Sequence, residues 1–161
     1  SKVAELFGWL GVETSYQEDG VTLTKSTPKV ERMEYDFINQ PDLAQTFVVT
    51  CALLGIPFRF TGLQSLKIKE TDRIVALIKE MRKLGFVIKD SENSILSWEG
   101  ERCTREEGAI DTYEDHRMAM AFAPASLKIS DLFINNPQVV SKSYPRYWEN
   151  LQTAGFIIKE E

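Results

Sequence analysis

Two stretches of the chain follow one plan, and that repeat limits the possible fold more than any other feature. Asp42 precedes the apolar run Leu43-Ala44-Gln45-Thr46-Phe47-Val48-Val49; a strand-like stretch follows around Pro57-Phe58-Arg59-Phe60, and Lys69 then opens a second helical pattern. Asp115 precedes Met118-Ala119-Met120-Ala121-Phe122 in the same way, followed by strand-like Leu132-Phe133-Ile134 and by Lys142 opening a further helix. Both Asp-to-Lys separations are 27 residues. Leu10-Gly11-Val12, Leu84-Gly85-Phe86 and Ala154-Gly155-Phe156 each close a helix and open a strand, their glycines 74 and 70 residues apart. Gly11 lies ten residues before Val21, and Gly85 ten before Ile95, so the hairpin that follows repeats as well.

The unit reads βαβαββ. This predicts an α/β (α+β) fold of repeated βαβαββ units packed around buried helices. Residues 1–31 are the tail of one unit, 32–100 a whole second unit and 109–161 a third. One unit cannot bury its own apolar face, so the three are expected to form a single domain. The second helix of the middle unit places Ile74, Leu77, Ile78, Met81 and Leu84 on one face, ended by Gly85. Its counterpart presents Tyr144, Tyr147, Trp148 and Leu151, with Ser143 expected as N-cap and Pro145 in the first turn. Leu77, Met81, Val48, Phe122 and Cys51 are expected in the core. At the start, Val3, Leu6, Phe7 and Leu10 fall at helical spacing with no N-cap run before them. They read as a helix already under way, in a chain that begins inside a larger protein.

Composition narrows the function. No run approaches the roughly 18 apolar residues of a membrane span, and no basic-then-apolar leader opens the chain. A net charge of −5 argues against nucleic acid as a partner, so an anionic ligand must be drawn by a local basic cluster. Two cysteines, Cys51 and Cys103, form no disulfide framework and suit a reducing, cytoplasmic setting. One histidine without a Cys/His cluster gives no metal site.

Charged residues recur in register just before helices. The middle unit has Asp42 and Lys67-Ile68-Lys69-Glu70-Thr71-Asp72-Arg73; the third has Asp115-His116-Arg117 and Lys142. Each set alone reads as a solvated helix start, a charged loop or a surface lysine, but surface charges have no reason to fall in register. Bases at helix N-termini oppose the macrodipole, which is tolerated where an anion is shared by the dipole and the base. Glu70 and Arg73, three residues apart, are expected on one helix face pointing into one cleft.

Lys69-Glu70-Thr71-Asp72-Arg73-Ile74 and Asp115-His116-Arg117-Met118-Ala119-Met120-Ala121-Phe122 resemble the two signatures of the 5-enolpyruvylshikimate-3-phosphate synthase family. Pro41-Asp42 and Ser141-Lys142-Ser143-Tyr144-Pro145 are similar to that family in order and spacing, so the resemblance covers nearly the whole chain. It implies transfer of the enolpyruvyl group of phosphoenolpyruvate to the 5-hydroxyl of shikimate 3-phosphate, with release of phosphate and no metal or organic cofactor. By similarity, Asp42 contacts the shikimate hydroxyls and serves as base, while Glu70 protonates the methylene carbon and later reclaims a proton. Crowding with Asp42 is expected to raise one carboxyl pKa. Arg73 and Arg117 are implied as holders of the phosphoenolpyruvate carboxylate, Lys142 of its phosphate, Lys69 of shikimate 3-phosphate, and His116 as an orienting neighbour. Ser65 stands where relatives often carry Asn, with a shorter reach to the substrate. The family's site lies between two domains, and the N-terminal one, with its lysine, two arginines, serines and glutamine, is not in this chain. The resemblance also implies a monomer when full-length.

Two other readings stand beside this one. A sister transferase acting on a UDP-linked amino sugar shares the fold, though the Asp-His-Arg-Met-Ala-Met run favours the shikimate enzyme. A non-catalytic anion-binding module explains the bases but not the acids, which repel an anion.

Overall fold

The computed structural model describes residues 1–161. Helix α1 (Lys2–Trp9) leads into the hairpin β1 (Val12–Gln17) and β2 (Gly20–Lys25). Then follow β3 (Met33–Asp36), α2 (Ala44–Leu54), β4 (Phe58–Thr61), α3 (Arg73–Lys83), β5 (Lys89–Ser91) and β6 (Ile95–Trp98). Two short helices, α4 (His116–Phe122) and α5 (Tyr147–Thr153), close the chain. The fold is mixed α/β, and residues 33–98 run β-α-β-α-β-β, the order anticipated for the middle unit. Their strands form one sheet in the order β3-β4-β6-β5, with β3 parallel to β4 across α2 and the remaining pairs antiparallel.

The central helix is α2, apolar nearly all round, which is the pattern of a helix buried on every side. Ala44, Phe47, Val48, Val49, Cys51 and Ala52 are buried, and the helix packs on α3, α4 and β4. Helix α3 is amphipathic, burying Ile74, Leu77 and Met81 while Val75 faces out. Together with Phe37, Phe58, Phe60 and Phe122 these side chains belong to one core of 29 buried residues. Burial of each large apolar side chain contributes about 1.5–3 kcal/mol, and cutting one back, as in Leu77→Ala, costs about 2–5 kcal/mol. The four residues named from the sequence as core, Leu77, Met81, Val48 and Phe122, are fully buried, as is Cys51.

Gly11 and Gly85 carry the turn from helix towards strand, whereas no strand follows Gly155, so the strand expected there is absent. Gly11, Gly85 and Gly155 have φ of +95°, +95° and +106°, a left-handed conformation that side chains disfavour. A Cβ on Gly11 would sit 2.7 Å from Ser26 O, and one on Gly85 2.9 Å from Cys103 O. At Gly11 and Gly85 larger residues are therefore opposed by contact as well as by φ, and at Gly155 by φ alone.

Several boundaries differ from the sequence reading. Helix α1 begins at Lys2 with Ser1 as its cap, the Oγ accepting from Ala4 N at 3.3 Å. Lys69 does not open α3: it follows a 3-10 turn over Gln64–Ile68, and the helix starts at Arg73 behind the cap Asp72, which accepts from Val75 N. Lys142 likewise follows a 3-10 turn, Pro137–Val140, and α5 starts only at Tyr147 behind Arg146, so Ser143 is not its cap and Pro145 lies before its first turn. The stretch Leu132–Ile134 makes one parallel bridge, Ile110 to Ile134, rather than a strand. Left-handed Asp131 and Asn136 bracket it and leave too few extended residues for a ladder.

Candidate active site

The charged residues gather where the N-termini of α3 and α4 meet the 3-10 turn Pro41–Leu43. At the centre is Arg73, the first residue of α3, whose side chain is only 2% exposed. Its Nε donates to Asp115 Oδ2 at 2.6 Å and its Nη2 to Asp115 Oδ1 at 3.2 Å, a two-pronged contact in the plane of the guanidinium. Nη1 donates to Asp42 Oδ1 at 2.8 Å, and Nη2 also to Glu70 Oε2 at 2.7 Å. Four of its five N–H donors are thereby engaged. A buried guanidinium is tolerated only when its donors are so satisfied.

Asp115 is itself fully buried and does two jobs. As N-cap of α4 it accepts from Arg117 N at 2.9 Å, and it holds Arg73 from the other side. Arg117, next along α4, donates from Nη1 to Asp42 O at 3.3 Å and brings Nη2 to 3.7 Å from Asp42 Oδ2. Lys69 Nζ stands 3.4 Å from Asp42 Oδ1. Asp42 is thus ringed by Arg73, Arg117 and Lys69 while keeping 38% of its side chain open to solvent.

Both candidate acids are held ionised. Burial works to raise the pKa of Asp42, but the charges of Arg117, Lys69 and Arg73 outweigh it and hold the carboxyl below its ordinary value. A hydrogen bond from its own backbone N–H lowers Glu70; desolvation opposes it, and Arg73, His116 and Lys69 add to the lowering. Mutual crowding is expected to raise one of the two, and neither is raised: the cations around Asp42, and the backbone hydrogen bond with the cations around Glu70, hold both down. Glu70 also lies before α3 rather than on its face, reaching Arg73 from the turn that precedes the cap.

The structure brings together Asp42, Lys69, Glu70, Arg73 and Arg117, with His116 close enough for its charge to act on Glu70. Ser65 lies half-buried in the 3-10 turn before Lys69 and makes no side-chain hydrogen bond within the chain. Lys142 is exposed and has no acid within 4.0 Å. Asp115 was not singled out from the sequence as a site residue. The signal was available, because it occupies in the third unit the place that Asp42 holds in the second. No group of three or more His, Cys, Asp or Glu side chains is placed to hold a metal ion. Two clefts away from these residues are lined by Trp9, Val30 and Arg32 and by Ala4, Gly8 and Val12. No helix is long and apolar enough to cross a membrane.

An α/β domain that gathers acids and bases before adjoining helices is the class that this fold and site define. The family model described as EPSP synthase (3-phosphoshikimate 1-carboxyvinyltransferase) matches residues 2–151, and the chain belongs to that family. It is 62% identical over 160 residues to a 3-phosphoshikimate 1-carboxyvinyltransferase of Bacteroides fragilis, covering 99% of this chain and 39% of the relative. It is 34% identical over 148 residues to the enzyme of that name from Methanosphaerula palustris, covering 92% and 34%. With the Nicotiana tabacum 3-phosphoshikimate 1-carboxyvinyltransferase 2 it shares 32% over 158 residues, covering 94% and 46%. The solved EPSP synthase of Acinetobacter baumannii matches with a TM-score of 0.69 at 20% identity, over 98% of this chain and 39% of that one, which speaks to the fold. The chain therefore spans about two fifths of the length of the B. fragilis relative.

Proposed function

We propose that this chain is the C-terminal part of an enolpyruvyl transferase and supplies half of a site that joins phosphoenolpyruvate to shikimate 3-phosphate. The observation that carries the reading is the convergence of two ionised, partly open carboxylates, Asp42 and Glu70, on Lys69, Arg73 and Arg117. A pure anion-binding face gains nothing from carboxylates at its centre. A proton-transfer site requires them.

In this mechanism Asp42, ionised beside three cations, takes the proton of the attacking hydroxyl as its oxygen bonds to the central carbon of phosphoenolpyruvate. Glu70 delivers a proton to the methylene carbon, giving a tetrahedral adduct. Loss of phosphate then restores the double bond as Glu70 takes a proton back from the new methyl group. Glu70 must be protonated for the first of these steps, and its pKa in the unliganded domain is held low. The negative charge of the bound substrates opposes that depression and favours the protonated form. Arg117 is the more open candidate for the substrate carboxylate. Arg73 keeps one free N–H and contributes further only by exchanging Asp42 or Glu70 for the ligand. Lys69 would face shikimate 3-phosphate, and Ser65 would touch it with a short reach. Lys142 would meet phosphate, and His116 would orient Glu70. The names of the relatives favour this reading over the UDP-amino-sugar transferase.

The test is phosphate release from phosphoenolpyruvate and shikimate 3-phosphate by the chain completed with the remainder of the B. fragilis relative. Turnover is expected in the completed enzyme, falling about 10²–10⁴-fold in Glu70→Gln with substrate binding retained. The chain alone is expected to be essentially inactive, because positioning of bound reactants supplies roughly 7–11 kcal/mol of barrier reduction and an open half-site cannot enforce it. A completed enzyme without turnover, or near-normal turnover in Glu70→Gln, removes the assignment.

A further inference from the structure

A second polar network lies two helical turns along α3 from Arg73, and no step described above uses it. Glu80 is fully buried. Its Oε1 accepts from Asp111 N at 2.8 Å and from Lys83 Nζ at 2.6 Å, and its Oε2 accepts from the Tyr113 hydroxyl at 2.7 Å. Lys83 Nζ donates further to Ala109 O and Asp111 Oδ2, each at 3.1 Å, and Asn135 Nδ2 donates to Asp111 Oδ1 at 2.9 Å. Thr112, also fully buried, donates to Asn135 O at 3.0 Å. Apart from the Lys83–Glu80 pair within α3, every contact ties residues 109–113 to α3 or to the segment after Ile134.

What this network adjoins is unusual backbone. Tyr113 and Glu114 have φ of +54° and +57°, two consecutive non-glycine residues in the left-handed region. Each is disfavoured there by its Cβ, so the pair persists only where surrounding contacts over-determine it. The residue that this turn delivers is Asp115, whose N donates back to Thr112 O at 2.8 Å. Asp115 is the buried partner of Arg73 and the cap of the helix that carries His116 and Arg117. Arg73 and Glu80, seven residues apart, lie on one face of α3 and clamp the two ends of the same short segment.

We infer that Glu80 and Tyr113 are positioning residues for the candidate site: their buried hydrogen bond holds the left-handed turn that sets Asp115 against Arg73 and fixes the start of α4. Burial and the bond to Glu80 both push the Tyr113 phenol pKa up, so it remains a donor at neutral pH. The catalytic consequence rests on the function proposed above; the geometric one does not.

Exchange of the Arg73 Nε–H with solvent, read by nitrogen-resolved NMR on the full chain, reports the Asp115 contact directly. Tyr113→Phe removes the donor alone and leaves Glu80 Oε2 without it; exchange at Arg73 Nε is expected to quicken about tenfold, the scale of one lost buried hydrogen bond. Tyr147→Phe is the matched control, because its hydroxyl bonds to Met120 O at 2.9 Å away from this turn, and it should leave Arg73 within about twofold. Equal acceleration in both variants, or none in Tyr113→Phe, overturns the inference. If Tyr113→Phe does not fold, Glu80→Gln decides: the amide has one acceptor oxygen where the carboxylate has two, so either the phenol or the Asp111 N–H loses its partner and Arg73 should exchange faster than in the control; parity with the control overturns the inference. In the completed enzyme, Tyr113→Phe should raise KM for phosphoenolpyruvate by more than it lowers kcat, and a pure loss of folded protein that leaves both unchanged per folded molecule counts against it. An inactive completed wild type would sink the proposed function while the Arg73 comparison still judged the latch.

Discussion

Asp42 and Asp115 occupy the same place in successive units, and both bond to Arg73, yet their surroundings differ in every respect that matters for chemistry. Asp42 sits in a 3-10 turn before α2, is 38% open, and answers to three cations. Asp115 is the buried cap of α4 and answers to Arg73 and to the backbone of its own helix. The repeat places a carboxylate at each position; burial then divides the roles. The open acid is accessible to a ligand, and the closed one is committed to Arg73 and to the start of α4.

That division is most sharply tested in the completed enzyme with Asp42→Asn. Turnover is expected to fall about 10²–10⁴-fold, the range for a general base, while unfolding free energy changes by less than about 1 kcal/mol, as for a solvent-screened ion pair. Steady-state kinetics beside denaturant unfolding checks both halves. A variant that loses stability but keeps turnover would reverse the roles assigned to the two acids.

Asp115→Ala should show the opposite pattern. It strips a buried guanidinium of its two-pronged partner and uncaps α4, and breaking a buried pair costs about 3–5 kcal/mol. Thermal unfolding of the chain itself provides the measurement. A loss below about 1 kcal/mol would mean that water or Glu70 replaces Asp115 readily, and Arg73 would then be less tightly fixed than the geometry implies.

Why the repeat was legible and this division was not follows from what periodicity records. Helical spacing over Ile74–Leu84 and over Met118–Phe122, and the glycines at 11, 85 and 155, are local signals, and all appear in the structure. Arg73 looked like one more base in a charged run because its burial depends on Asp115, which is 42 residues away. Helix starts were misplaced for a related reason. Lys69 and Lys142 sit at repeat-equivalent positions, but the chain spends several residues in a 3-10 turn and a bend before Asp72 or Arg146 begins the helix. The stretch Leu132–Ile134 has strand-like residues, yet left-handed Asp131 and Asn136 close it at both ends.

Acid titration sharpens the comparison with a smaller effect. Asp42 has a folded pKa below its ordinary 3.8, and Glu70 one below its ordinary 4.5. A depressed folded value means that the unfolded chain binds the proton first, so these groups favour the folded state above the ordinary values and lose that contribution as pH falls through the lower folded ones. Unfolding free energy should therefore be level from neutral pH to about 5 and decline below it. The decline should be shallower in Asp42→Asn, measured by urea unfolding across that range; an unchanged slope would show that the three cations do not act on Asp42 as the distances suggest.

The smallest effect concerns Lys69 and Lys142, the two lysines that follow Asp42 and Asp115 by 27 residues. Lys69 already has an anion, Asp42, at 3.4 Å, whereas Lys142 is exposed and has none. Lys142→Ala should leave stability within about 0.5 kcal/mol, as for any surface change away from a packed feature. Its charge is nevertheless the one that no internal carboxylate has neutralised, so its removal should register in the binding of an added anion. Phosphoenolpyruvate titrated into the completed enzyme should bind a few-fold more weakly in Lys142→Ala at low salt, with the difference shrinking as ionic strength rises and the Debye length falls below about 10 Å. Lys69→Ala removes a charge whose field is partly spent on Asp42, and it also frees Asp42 to repel the ligand, so its loss should persist at higher salt where close pairs are less screened. Equal salt dependence in the two variants would mean that the ligand meets both lysines in the same solvent-exposed way, and the contrast between the second and third units would then stop at their acids.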